Sequence, residues 1–261
     1  MMKTLHRSVG KADLGGEPIP YAFRAFKEMG IAVRRGEVSM IAGIPGAGKS
    51  TLALAISLRS KVPTLYVCAD TNAHTIATRL YSMIVGVSQK DAEIVLEHAP
   101  EQAKDRLKDT NNIYWCFDSS IDLYTIDEEL KAFEELRGEP PHLMIVDNLI
   151  DLTGGVVESA AAQEALQALK LFARENNTAV VVLHHTKEGF VGNPCQPMSA
   201  VQGMVNQTPA LILTVGQAAG NMFGVAAVKN RYGKSDNSGS HPVWLEFAPD
   251  WMYMSDLPEG R

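Results

Sequence analysis

The sequence predicts an α/β fold: a mostly parallel central sheet flanked by helices, with antiparallel strands added at the C-terminal side. Three observations carry this. Short apolar runs alternate with helix-period segments from residue 37 to residue 185. The apolar runs lack polar alternation, so they suit strands buried on both faces of a sheet. After residue 210, three apolar runs follow one another with short connections and no helical pattern between them, as antiparallel neighbours do.

The elements follow in chain order. Residues 1–18 read as an irregular arm containing Gly and Pro, and PYAFRAFKEMG as a short amphipathic helix stopped by Gly30. EVSMIAG (37–43) is a strand and KSTLALAISLRS (49–60) a helix. PTLYVCA (63–69) is a strand, and HTIATRLYSMIVG (74–86) a helix with Ile76, Leu80, Met83 and Ile84 on one face. A polar helical stretch covers 89–108. NIYWCF (112–117) and HLMIVDN (142–148) are strands around a helix at 123–136. A helix at 158–175 leads to the strand TAVVVLHH (178–185), and ALILTVG, FGVAAVKN and VWLEFAP supply the late strands. The division this implies is an arm and short helix (1–30), a core (31–250) and a tail (251–261).

A chain of 261 residues, 46% hydrophobic and 21% charged, can bury one large α/β core. Its formal charge of −6 excludes a generic polyanion binder, so any nucleic-acid contact must be local. The three cysteines, Cys68, Cys116 and Cys195, have neither zinc spacing nor an even count for a disulfide framework. They suit a reducing cytoplasm, a host's if the chain is viral. The first 18 residues lack the apolar stretch of a secretory signal, and no run is long enough to span a bilayer, so no membrane partner is expected.

GIPGAGKS (43–50) fits the phosphate-loop pattern G-x-x-x-x-G-K-[ST]. The pattern works because glycines let backbone N–H groups wrap phosphates at a helix N-terminus. The preceding apolar strand and following helix are the context it requires. The expected nucleotide-binding set is Gly43, Pro45, Gly46, Ala47, Gly48, Lys49, Ser50 and Thr51, with ATP and Mg²⁺ as cofactors. Lys49 would reach the β/γ-phosphates and the Ser50 hydroxyl would hold Mg²⁺. Asp147 ends an apolar strand, where a second Mg²⁺-directed carboxylate sits in such enzymes; a solvated strand-end Asp is the plainer alternative. Asp70 ends the strand after the phosphate-loop helix. It is either a base for the attacking water or a cap or turn residue, and Asn72 competes for the cap. His184 and His185 end a strand and point to opposite faces, so one of them can face the γ-phosphate.

The ordered segments GIPGAGKSTLALAIS, YVCADTNAHTIATRLYSMIVGV, LMIVDNLIDL, VVVLHHTKEG and VKNRYG resemble the RecA-like P-loop core of DnaB-type replicative helicases, with kinship to RecA and RadA ATPases. The resemblance covers about residues 30–248 and does not extend to the N-terminal helical domain such helicases usually carry. It implies a DNA-dependent ATPase, a ring motor on single-stranded DNA built as a homo-oligomer, with a hexamer as the expected ring. It places the polar phosphate sensor at His185 and the catalytic carboxylate at Asp70, where the family carries the longer Glu. The family's late K-x-R-x-G falls on Lys229, Arg231 and Gly233, and implies that these two cations enter the neighbouring subunit's site as fingers. Residues two apart on a strand project the same way, which suits that pairing. The loops 153–159 and 186–199 would line the central channel, with Lys187 on phosphates and Phe190 stacked on a base. A family linker helix packs on the next subunit, a role PYAFRAFKEM is placed to take. Two other readings stay open: a RecA-like recombination or annealing ATPase without processive unwinding, and a signalling ATPase independent of nucleic acid.

Overall fold

The computed structural model describes residues 16–153, 159–187 and 192–258. They form a nine-stranded sheet of order β3-β2-β4-β5-β1-β6-β7-β8-β9. The strands are β1 (Val38–Gly43), β2 (Thr64–Cys68), β3 (Ile113–Cys116), β4 (Leu143–Asp147), β5 (Ala179–His185), β6 (Leu211–Ala218), β7 (Met222–Asn230), β8 (Val243–Ala248) and β9 (Tyr253–Asp256). Strands β1 to β6 pair in parallel and β7 to β9 are antiparallel. The antiparallel part therefore begins one step later than the short connections suggest. β6 still runs parallel to β1, and the reversal comes at the β6–β7 hairpin. β9, read from sequence as part of the tail, is a strand paired with β8.

The helices are α1 (Arg24–Met29), α2 (Lys49–Ser60), α3 (Ala73–Val85), α4 (Gln89–His98), α5 (Pro100–Leu107), α6 (Leu123–Arg137) and α7 (Ser159–Asn176). The polar stretch 89–108 is two helices, because Pro100 opens α5 and disfavours helical geometry at Ala99 before it. The sheet has two apolar faces. Leu52, Ile56, Ile76 and Leu80 of α2 and α3 pack on one. Ile126, Phe133, Leu166 and Leu169 of α6 and α7 pack on the other. β1 lies between β5 and β6 with all six residues buried.

α1 packs into its own chain's core rather than standing free. Phe23 and Phe26 are buried there with ring centroids 5.1 Å apart, edge to face. The Asp256 carboxylate caps the helix from the far end of the chain, accepting from the backbone N–H of Arg24 and of Ala25 at 2.9 Å each. This satisfies two donors that a short helix leaves open.

The β6–β7 hairpin carries a cross-strand glycine pair, Gly216 opposite Gly224. A Cβ on Gly216 would lie 1.9 Å from the Pro194 carbonyl oxygen, and one on Gly224 would lie 2.8 Å from the Cys195 Sγ. The missing side chains form the seat for segment 193–196, so Cys195 and Gln196 are buried. That burial pushes the Cys195 thiol up to about 12. Gly216→Ala should therefore unseat the segment and cost about 1–3 kcal/mol by overpacking. Chemical denaturation measures the loss, and faster labelling of Cys195 by a thiol reagent reports where it occurs.

Candidate functional site

The phosphate loop leaves the C-terminal end of β1 and enters α2 through Gly48, whose backbone is left-handed at φ 97°. A Cβ there would lie 2.6 Å from the Phe223 ring, so the position needs glycine on both counts. The loop is tied to the hairpin a second time by Gln217, whose amide donates to the Gly46 carbonyl at 3.1 Å. Lys49 Nζ donates to the Gly43 and Ile44 carbonyls at 3.1 Å each. Burial lowers the Lys49 ammonium from its ordinary value, and the Asp147 charge opposes that.

Asp147 ends β4 beside this loop. Burial raises its carboxyl above the ordinary range, while hydrogen bonds from Ser50 and Tyr66 and the Lys49 charge pull it down. The Tyr66 hydroxyl donates to Asp147 Oδ2 at 3.2 Å. Tyr66 is fully buried and stacks on Trp115 with centroids 4.8 Å apart. A half-buried carboxylate touching a hydroxyl beside a phosphate loop fits a hard divalent cation. Among the described residues no cluster of three or more His, Cys, Asp or Glu is placed to hold a metal alone. Mg²⁺ would then be held by Ser50 and Asp147 together with nucleotide phosphates and water.

Asp70 lies beyond the end of β2 and is exposed. It does not cap α3: Asn72 does, accepting from Thr75 N–H at 2.9 Å. Asp70 Oδ2 instead accepts from the Asn148 amide at 3.0 Å. Asn148 is itself fixed at both ends. Its backbone N–H donates to Asp151 Oδ2 at 3.1 Å and its Oδ1 accepts from Ile150 N–H at 2.9 Å. His185 belongs to the same cluster. Burial lowers its imidazole pKa, as does the Lys49 charge, while Asp70 and Asp151 pull it back up. His184 turns the other way, with Nε2 3.1 Å from the Gln202 carbonyl. The alternation along β5 thus puts His185 beside Lys49, Asp70 and Asp151. Tyr66, Asn148 and Asp151 escaped the sequence reading. The signal for the last two was the polar pair in DNLIDL, directly after the strand-end Asp.

Lys229 and Arg231 stand at the opposite end of the strands from the phosphate loop. Lys229 is the last residue but one of β7, past a register shift, and its Nζ donates to the Asn206 and Gln207 carbonyls at 2.6 and 3.0 Å. Burial lowers its ammonium pKa, and the charges of Arg231 and Lys170 add to that. Arg231 Nη1 lies 3.4 Å from Glu37 Oε2. Glu37 immediately precedes β1 and Gly43 ends it, so Arg231 is about 20 Å from its own phosphate loop at a strand rise of about 3.3 Å per residue. Lys187 is exposed, with its backbone N–H donating to the Ala200 carbonyl at 2.8 Å. Phe190 lies outside the described residues, as do 154–158 of the loop after β4. The far half of 186–199 is packed on the hairpin rather than open.

Residues 29–189 match the AAA domain family. The chain belongs to that family. A second finding agrees: Gene 65 protein of Mycobacterium phage L5 is 33% identical over 266 residues, spanning 98% of this chain and 99% of that protein. The DNA repair protein RadA of Mycobacterium tuberculosis H37Rv is 26% identical over 223 residues, 81% of this chain but 38% of RadA. Among solved structures, a DnaB-like replicative helicase superposes with a TM-score of 0.75 at 16% identity, covering 97% of this chain and 65% of that one. A separately solved ATPase domain gives 0.78 at 14%, covering 97% and 96%. At such identities these two show the fold, a RecA-like P-loop NTPase. The AAA-domain chain is therefore a P-loop ATPase, similar in sequence to RadA over the part of RadA that it spans and sharing its fold with the DnaB-like structure. No helix of the described residues is long and apolar enough to cross a membrane.

The histidine geometry has a pH consequence. Because its partner is a carbonyl, His184 carries its proton on Nε2, and buried Nδ1 has no partner among the described residues. Burial depresses its pKa below the ordinary value. Protonation therefore favours the unfolded chain, and the stability His184 contributes is present above about pH 6.5 and lost as pH falls. His184→Gln keeps a neutral donor, so its stability should fall less than the wild type's between about pH 7 and pH 5. Urea midpoints measured across that range check it.

Proposed function

We propose that this AAA-domain protein is a DNA-dependent ATPase, a helicase-like ring motor on single-stranded DNA that hydrolyses ATP between copies of itself. One observation carries the reading. Arg231 is at the far end of β1 from the phosphate loop, so it cannot serve its own chain's nucleotide. A partly exposed arginine in that position suits a neighbour's γ-phosphate, as a finger completing the site. Lys229 beside it would share the task. The assembly is a homo-oligomer, a hexameric ring in the DnaB-like form, and works in the cytoplasm.

Within the site each residue has a role its geometry suits. The backbone N–H groups of the loop on either side of Pro45, together with Lys49, bind the phosphates. Ser50 and Asp147 would hold Mg²⁺ with the nucleotide, and its positive charge would offset charge on the phosphates. Asp70 accepts a proton from the attacking water or orients it. His185, neutral at physiological pH because of burial, hydrogen-bonds the γ-phosphate region and can sense its loss. On the DNA side, Lys187 contacts backbone phosphates and Phe190 stacks on a base. A recombination or annealing ATPase is the second reading, favoured by the likeness to RadA.

ATP turnover with and without single-stranded DNA, alongside the mass of the assembly, tests the proposal. Turnover that rises with DNA supports it, and no rise favours a signalling ATPase. Strand displacement separates a motor from an annealing protein. Lys49→Ala should abolish turnover and Asp70→Asn should bind nucleotide but lose about a hundredfold or more in rate. A normal rate for Asp70→Asn would put the base elsewhere. Mixing Lys49→Ala with Arg231→Ala chains, with subunit exchange verified, should restore part of the activity, because some interfaces then combine an intact loop with an intact finger. A mixture no more active than the sum of its parts would remove the trans-acting role.

A further inference from the structure

We infer that Glu37 is a positioning residue for Arg231, holding the finger in the attitude that a neighbouring site requires. This rests on the trans-acting reading above and goes beyond it by naming what aims the finger. Glu37 is 5% exposed. A carboxylate that buried is costly unless charged or polar partners compensate it. Its two oxygens are divided between two consecutive residues of the finger segment. Oε1 accepts from the Tyr232 hydroxyl at 2.5 Å and Oε2 lies 3.4 Å from Arg231 Nη1. The Tyr232 ring is held in turn by the Arg34 guanidinium, 4.9 Å from its centroid.

The anchor is stiffer than a surface ion pair. The Glu37 backbone N–H donates to the Arg34 carbonyl at 3.3 Å and its own carbonyl accepts from Val180 at 3.1 Å. The Arg231 backbone N–H donates to the Ala210 carbonyl at 2.8 Å. Both ends of the contact are therefore tied to the sheet. Contacts to Glu37 and to the Tyr232 hydroxyl still leave guanidinium N–H donors outside them, and the Arg231 side chain is 38% exposed. The carboxylate fixes the direction of the guanidinium without using up its phosphate-binding edge. A surface loop with Lys and Arg would otherwise lose its aim to side-chain entropy, and a small misplacement of a transition-state group costs a large factor in rate.

The test uses Glu37→Gln, which keeps size and removes charge, and Tyr232→Phe, which removes one hydroxyl from a side chain that is 40% exposed. Glu37→Gln should lower kcat by about tenfold or more while leaving the KM for ATP within about twofold, since its own phosphate loop is intact. Tyr232→Phe should show a smaller loss of the same kind. The deciding measurement is rescue. Mixed with Lys49→Ala chains, which bring a correctly held finger, each variant should recover activity as Arg231→Ala does. Damage confined to its own loop or strand would not be rescued in this way. Wild-type or faster turnover in Glu37→Gln, or no rescue where Arg231→Ala is rescued, overturns the inference alone. If Arg231→Ala itself is not rescued, the trans-acting reading has failed and the role of Glu37 falls with it. Should Glu37→Gln not fold, Tyr232→Phe decides by the same two criteria.

Discussion

Strand β1 is the constraint on which the molecule depends. Its six residues are buried against neighbours on both sides and helices on both faces. Such a strand can place polar chemistry only at its ends, because no side chain along it reaches water. At one end the chain breaks into the glycine loop that leads through Gly48 to Lys49. At the other stands Glu37, buried and matched to Arg231 and Tyr232. Everything with a proposed part in phosphate chemistry gathers at one end or the other.

The nucleotide end concentrates charge in a small volume. Asp147 is held high by burial while Lys49 is held low by the same cause, and each moderates the other. Neither is settled by a direct partner of opposite charge: Lys49 donates to carbonyls and Asp147 takes hydroxyls from Ser50 and Tyr66. A phosphate and a cation arriving together would answer both at once. Asn148 performs a separate service by fixing Asp70, which is one methylene shorter than the Glu of the DnaB-like pattern.

Much of this was legible in the sequence, for reasons that can be named. The phosphate loop is read locally, since eight consecutive residues carry its pattern. Asp147 and His185 are read from their place at the ends of apolar runs, and period-two alternation separates His185 from His184. Asn148 was not legible as a partner of Asp70, because the bond joins residues 78 positions apart. The direction of β6 was not legible either, since an apolar run reads the same whichever way it pairs. YMSD is too short and polar to declare itself as a strand; its pairing with β8 and the cap that Asp256 gives α1 make it one. The packed half of loop 186–199 depended on Gly216 and Gly224 lying opposite each other, a matter of register that composition does not carry.

That register makes the β6–β7 hairpin a plate with two working surfaces. Gln217 and Phe223 are paired and touch the phosphate loop at Gly46 and Gly48. Their neighbours Gly216 and Gly224 are paired and turn to the opposite surface, where Pro194 and Cys195 rest. Only the thickness of one backbone layer separates the two contacts, and close-packed layers of this kind have little compressibility. A side chain added at Gly48 and one added at Gly216 would therefore press on the same backbone layer from opposite sides. The phosphate loop and the segment 193–196 thus share one rigid wall, with no lever or hinge between them.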